Sequence, residues 1–153
     1  MNIEERLTEI GLTLPPAPPL GGVYRPVMIS GNMLYVSGQG PVRNDRSLIT
    51  GKLGLDMDVE AGYEAARQVA LTMLSTIKVH AGSLSILNRL VKTLGMVNSA
   101  SDFYDHPKVI NGFSELMVDL MGEDNGKGAR SAVGMILPGN IAVEIEAIFE
   151  INE

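Results

Sequence analysis

The segment that constrains the fold most strongly is residues 141–151, which alternate in polarity along their whole length. Apolar side chains occupy every odd-numbered position, whereas three of the even-numbered positions are glutamates. Because side chains of a β-strand point alternately to opposite faces of a sheet, the pattern predicts a long strand whose odd-numbered face packs on the core. The even-numbered face is then not covered by the helices. It carries the apolar Ile148, and an uncovered apolar face indicates contact with another subunit.

Two amphipathic helices are predicted to cover the buried face of this strand. Apolar residues recur at helical spacing over residues 59–77, between an N-capping Asp58 and a glycine at position 82 that ends the helix. A second apolar stripe runs over residues 109–121 and follows Pro107, which fits the first position of a helix. Both helices therefore have a face to bury against a sheet.

The remaining apolar runs predict strands and give the order β-β-α-β-α-β-β. The runs "VMIS" and "MLYVSGQ" flank Gly31-Asn32, where a glycine in the first position permits a type II′ hairpin turn. The run "NRLVKTLGMV" lies between the helices, so both strand-helix-strand passages imply crossovers onto the same sheet. We predict an α+β fold with two helices on one sheet face, built as a single domain over residues 1–153. A short helix and a proline-rich arm, residues 1–20, precede the sheet.

Arg130 and Glu144 are two opposite charges in the largely apolar C-terminal segment. We expect the strands on either side of Pro138-Gly139-Asn140 to form a hairpin, with Glu144 paired near residues 133–135. A buried charge without a partner costs several kcal/mol, so the two side chains either reach water or form a site. The pattern leaves two interpretations open: two solvated charges, or a pocket where the arginine binds a carboxylate and the glutamate transfers protons.

The composition argues against several other functions. The net charge is −6 and the pI about 4.9, without a cluster of Lys and Arg, so nucleic acid is disfavoured as a partner. The chain has no cysteine and two histidines, which argues against thiolate chemistry and histidine-rich metal sites. No cofactor or metal is expected. The N-terminus lacks signal-peptide features and no apolar run approaches the roughly 20 residues of a membrane span, so we expect a soluble cytoplasmic protein without membrane association.

Three segments carry a family resemblance that covers about residues 21–151. The segment "GGVYRPVMISGNMLYVSGQGPV" contains the pattern S-G-Q-x-P, "VINGFSELM" follows in the second helix, and "GARSAVGMILPGNIAVEIEAIF" comes near the end. In this order they resemble the opening, middle and closing blocks of the RidA/YjgF family of imine deaminases, also labelled endoribonuclease L-PSP. "GKLGLDM" and "GYEAARQVALTML" resemble a longer, less characterised branch of that family.

The resemblance implies a chorismate-mutase-like fold, a homotrimer and three clefts between subunits. In family members with deaminase activity an arginine binds the carboxylate of 2-aminoacrylate or 2-iminopropionate, and Arg130 matches that arginine. The glutamate that orients water in the family falls on Glu144. The resemblance also assigns substrate binding to Tyr24, Ser37 and Asn111. It implies neither metal nor cofactor, since an imine carbon is already electrophilic.

Three functions remain open from the sequence. The first is an enamine and imine deaminase that hydrolyses reactive 2-imino acids to keto acids and ammonia. The second is a non-catalytic trimer that binds a small carboxylate metabolite in the same pocket. The third is a ribonuclease, which only the family labels imply, and the acidic pI and the lack of a basic stripe disfavour it.

Overall fold

The computed structural model describes residues 2–152. Its elements, in chain order, are α1 (Ile3–Glu9), β1 (Val27–Ser30), β2 (Met33–Gln39), α2 (Val59–Ala81), β3 (Leu87–Asn98), α3 (His106–Met121), α4 (Glu123–Gly126), β4 (Ala129–Met135) and β5 (Val143–Ile151), with 3-10 turns at Leu84–Ile86 and Pro138–Asn140. The strands form one mixed sheet in the order β1-β2-β5-β3-β4. Only the β3 and β4 pair is parallel. The predicted α+β fold is confirmed.

The N-terminal hairpin forms as predicted. Strands β1 and β2 pair in antiparallel register from Val27 opposite Val36 to Ser30 opposite Met33. Gly31 has φ 62°, which a glycine adopts without the steric cost that a Cβ would bring. The turn therefore fixes the register of the first two strands.

The two long helices begin and end where the sequence predicts. The Asp58 side chain accepts a hydrogen bond of 2.8 Å from the Ala61 backbone N–H at the start of α2, and Gly82 ends this helix. In α3, Pro107 lies in the first turn. Within residues 2–152, no helix is long and apolar enough to cross a membrane.

The inner face of the sheet packs against α2 and α3. The odd-numbered residues of β5 provide the centre of the core, and Val143, Ile145 and Phe149 are fully buried there. The even-numbered face points away from the helices, as the alternation predicts. That outer face exposes several large apolar side chains, among them Met28, Tyr35 and Val133.

The predicted C-terminal hairpin is wrong. Strand β4 pairs only with β3, in parallel register, and β5 lies between β2 and β3. Glu144 is therefore opposite Met96 of β3 and does not pair near residues 133–135. The segment between β4 and β5 crosses the end of the sheet, where the Asn98 side chain donates to Asn140 Oδ1 at 2.9 Å. In the central position β5 satisfies backbone hydrogen bonds on both edges, which a hairpin at the sheet edge would not allow.

Candidate functional site

Arg130 is held against the first half of α3. One guanidinium nitrogen donates to Asn111 Oδ1 at 2.8 Å and to Ser114 Oγ at 3.1 Å. The other terminal nitrogen donates to the Pro107 carbonyl at 3.4 Å. Asn111 and Ser114 lie three residues apart and therefore on the same side of the helix. The helix thus fixes the plane and position of the guanidinium.

The Arg130 side chain lines a cavity of about 430 Å³ between α3, α4, β3 and the start of the edge strand β4. Apolar Leu90 and Val118 share this cavity with the charged Glu123 and Lys127. No carboxylate among residues 2–152 forms an ion pair with Arg130. A planar guanidinium that is fixed but not neutralised is well suited to bind a carboxylate in bidentate fashion.

Glu144 lies half-buried on the outer face of β5. Its carboxyl group lies against Gly38 of β2. A Cβ at position 38 would collide with Glu144 Oε2. Gly38 lies within a register irregularity between Val36 and Gln39, and the missing side chain leaves room for the carboxyl. Burial, and secondarily the negative charge of Glu146, raises the pKa of Glu144 above its ordinary value. A raised pKa makes the carboxylate a stronger base, which favours a role in proton transfer.

Glu144 and Tyr24 line a second cavity, of about 300 Å³. The Tyr24 hydroxyl accepts a hydrogen bond of 3.4 Å from the Gly21 backbone N–H. Ser37 lies next to Gly38 in β2 and donates its hydroxyl to the Arg25 carbonyl at 2.6 Å. The structure therefore brings Tyr24 and Glu144 together and sets Ser37 beside them.

Arg130 and Glu144 lie on opposite faces of the sheet. Arg130 is in register with Thr93, which is in turn opposite Ala147 on the inner face of β5. Glu144 belongs to the outer face of the same strand. The five predicted residues thus form two groups, Arg130 with Asn111 and Glu144 with Tyr24 and Ser37. Within one chain the two charged groups cannot contact the same small molecule.

The histidines do not take part in either cavity. His106 Nε2 is 3.0 Å from Ser99 Oγ at the start of α3, and its ring packs edge-on against Phe103. Across residues 2–152, no three His, Asp or Glu side chains are grouped so that they could hold a metal ion.

Ser114 is a further residue at this site that was not predicted from the sequence. Its position one helical turn after Asn111 was the available signal, since both side chains had to share a side of α3 once Asn111 was assigned to the site. The Ser114 hydroxyl and the Asn111 side chain accept hydrogen bonds from the same guanidinium nitrogen of Arg130. Ser114 is therefore a candidate positioning residue for Arg130.

We expect Ser114→Ala to weaken carboxylate binding without destabilising the fold. Ser114 positions Arg130 without contacting the ligand, so only part of the roughly 1.5–3 kcal/mol of a hydrogen bond to a charged group should appear in binding, about 1 kcal/mol or roughly fivefold in Kd for pyruvate. Titration calorimetry measures this change, and Ser101→Ala in an exposed turn is the matched control. Equal Kd values for Ser114→Ala and the wild type would show that Asn111 and the Pro107 carbonyl position Arg130 without Ser114.

The five-stranded mixed sheet with its covering helices is an α+β fold of the chorismate mutase-like type. The family model described as "YjgF/chorismate mutase-like, putative endoribonuclease" matches residues 4–145, and the chain belongs to this family. Protein TCP17 of Trypanosoma cruzi is 37% identical over 152 residues, which cover 99% of this chain and 95% of that protein. The predicted family resemblance is confirmed.

Two solved structures are similar over nearly the whole chain. Protein Atu1372 of Agrobacterium tumefaciens is 44% identical with a TM-score of 0.88, over 99% of this chain and 92% of that one. A Shewanella oneidensis protein with an endoribonuclease description is 31% identical with a TM-score of 0.92, over 98% and 99% of the two chains. The arm and α1 thus lie within the region that these structures share with this chain.

Proposed function

We propose that this protein is an enamine and imine deaminase that hydrolyses 2-aminoacrylate and related 2-imino acids to keto acids and ammonia. The observation that supports this most directly is the state of Arg130. Asn111 and Ser114 fix its guanidinium at the wall of a cavity, and no carboxylate among residues 2–152 neutralises it. A substrate carboxylate would supply the missing partner.

The proposal requires at least two copies of the chain in each site. Because Arg130 and Glu144 lie on opposite faces of one sheet, a substrate can contact both only if they come from neighbouring copies. Exposed apolar side chains on the outer face, including Met28 at 50% and Tyr35 at 43%, support burial against another copy. A homotrimer, which the family resemblance implies, would give three equivalent clefts.

The reaction would proceed by addition of water to the imine carbon. With the substrate carboxylate on Arg130, the neighbouring copy's Glu144 would remove a proton from water as the oxygen attacks C2 of the imine. Glu144 would return this proton to the imine nitrogen, which gives a carbinolamine and leaves Glu144 as a carboxylate again. Glu144 would then transfer the hydroxyl proton to the amino group, so that ammonia leaves as the C2=O bond forms. 2-Aminoacrylate enters this sequence after tautomerising to 2-iminopropionate.

The proposed function is tested by generating imino acids in situ with an amino-acid oxidase. Semicarbazide traps the imine that survives, and the wild-type protein should lower the trapped fraction while releasing ammonia. Unchanged trapping across small and large side chains would contradict the deaminase. Thermal stabilisation by keto acids in that case would identify a binding protein, since a ligand of the folded state raises its stability. RNA cleavage that persists in Arg130→Ala would instead favour a ribonuclease at another site.

A further inference from the structure

The N-terminal arm, residues 12–20, is a fixed part of the fold. Ser75 of α2 donates its buried hydroxyl to the Pro15 carbonyl at 2.7 Å. Pro15 itself is buried, and the side chains of Leu12 and Leu14 pack against the core. Because the prolines of the arm restrict φ, the position of its last residues follows from this anchor.

The last residues of the arm form one wall of the cavity that Glu144 lines, which we call the arm cavity. Pro18, Pro19 and Leu20 lie on one side, and Leu48 and Ile141 belong to the same lining. Among the lining residues that the structure describes, Glu144 is the sole charged one. The volume of about 300 Å³ is at the lower end of the range of roughly 300–1,000 Å³ that is typical of small-ligand pockets. A cavity of this volume can hold an apolar group larger than a methyl.

We propose that this arm cavity receives the side chain of the 2-imino acid, so that the preferred substrates carry branched apolar side chains. The inference rests on the proposed function, which puts the reacting carbon beside Glu144 and the carboxylate on Arg130 of another copy. The Arg130 cavity is less suited to an apolar side chain, since Glu115, Glu123 and Lys127 line it. An acidic side chain in the arm cavity would be repelled by Glu144.

The test uses stable keto acids, which keep the carboxylate and side chain of the substrate but need no catalysis. We expect 4-methyl-2-oxopentanoate to bind at least about tenfold more tightly than pyruvate, because its isobutyl group would be buried in the arm cavity. At pH 8, 2-oxoglutarate should bind more weakly than pyruvate. Leu20→Ser should weaken binding of 4-methyl-2-oxopentanoate by roughly fivefold and change pyruvate binding less than twofold.

Titration calorimetry on the intact assembly measures all three constants. Leu55→Ser is the matched control, because Leu55 is an exposed leucine in a loop outside the arm cavity. Equal affinity for the two apolar keto acids, no binding of either, or equal weakening of both by Leu20→Ser would overturn the inference. If the expected affinities appear but no imine is hydrolysed, the arm cavity stands as a side-chain pocket and the deaminase proposal fails.

Discussion

Arg130→Ala is expected to lower kcat/KM for imine hydrolysis by roughly 10²–10⁴-fold. The variant loses two charge-assisted hydrogen bonds to the substrate carboxylate, each of which contributes about 1.5–3 kcal/mol. The fold should survive, since Arg130 lies near the start of β4, an edge strand, and forms no ion pair with residues 2–152. Steady-state ammonia release measures the loss, and size-exclusion chromatography checks the assembly.

Two further variants separate the effect of the shape of the Arg130 side chain from the effect of its positive charge. Arg130→Lys keeps the positive charge but loses the planar fork, so we expect activity between the wild type and the alanine variant. Arg89→Ala removes an exposed arginine from β3 and is the control for overall charge. If Arg130→Ala retains full turnover, the carboxylate of the substrate is bound elsewhere and the proposed site is wrong.

Local sequence patterns were sufficient for the elements of this fold but not for the partners of its last two strands. The alternation over residues 141–151 fixes which face is buried, and the caps at Asp58 and Gly82 fix the long helix. The order β2-β5-β3 joins strands that are far apart in the sequence, and no short segment encodes which of them become neighbours. A turn at Pro138-Gly139-Asn140 fits a hairpin and a crossing over the sheet end equally well.

The candidate site was predictable in its residues and not in its geometry. Arg130 and Glu144 could be named from residue type and family resemblance, but the wrong hairpin left open how far apart they lie within one chain. The register through Thr93 and Ala147 puts them on opposite faces. Ser114 was missed because its spacing from Asn111 puts it on the same side of α3 but does not by itself show that it reaches Arg130.

Glu144→Gln is expected to lower kcat by roughly 10²–10⁴-fold, the usual contribution of a general acid or base. The amide keeps the shape of the carboxyl over Gly38 but can neither remove a proton from water nor return one to the leaving amine. Keto acid binding, measured by calorimetry, should change little because Arg130 is intact. Glu150→Gln, in the same strand, is the matched control.

The same variant should change the pH dependence of stability. Burial raises the pKa of Glu144 above 4.5, so its ionisation opposes folding. The contribution of Glu144 to the free energy of unfolding is therefore largest below about pH 4.5, and it decreases as the pH rises through the raised pKa. Glutamine does not ionise, so Glu144→Gln should gain stability relative to the wild type between pH 5 and pH 8. Urea unfolding at fixed protein concentration measures the difference, and a variant that loses stability over this range would contradict the assignment.

Mixing the two inactive variants tests whether each site takes Arg130 from one copy and Glu144 from the next. In a trimer that assembles at random from equal amounts of Arg130→Ala and Glu144→Gln, about one quarter of the clefts combine an intact arginine with an intact glutamate. Co-refolding should therefore restore about a quarter of the wild-type activity, whereas simple mixing of assembled proteins restores it only as subunits exchange. If both residues acted within one chain, no combination of these variants would recover turnover. Recovery would thus link the separation of the two charges on the sheet directly to the assembly that makes the site.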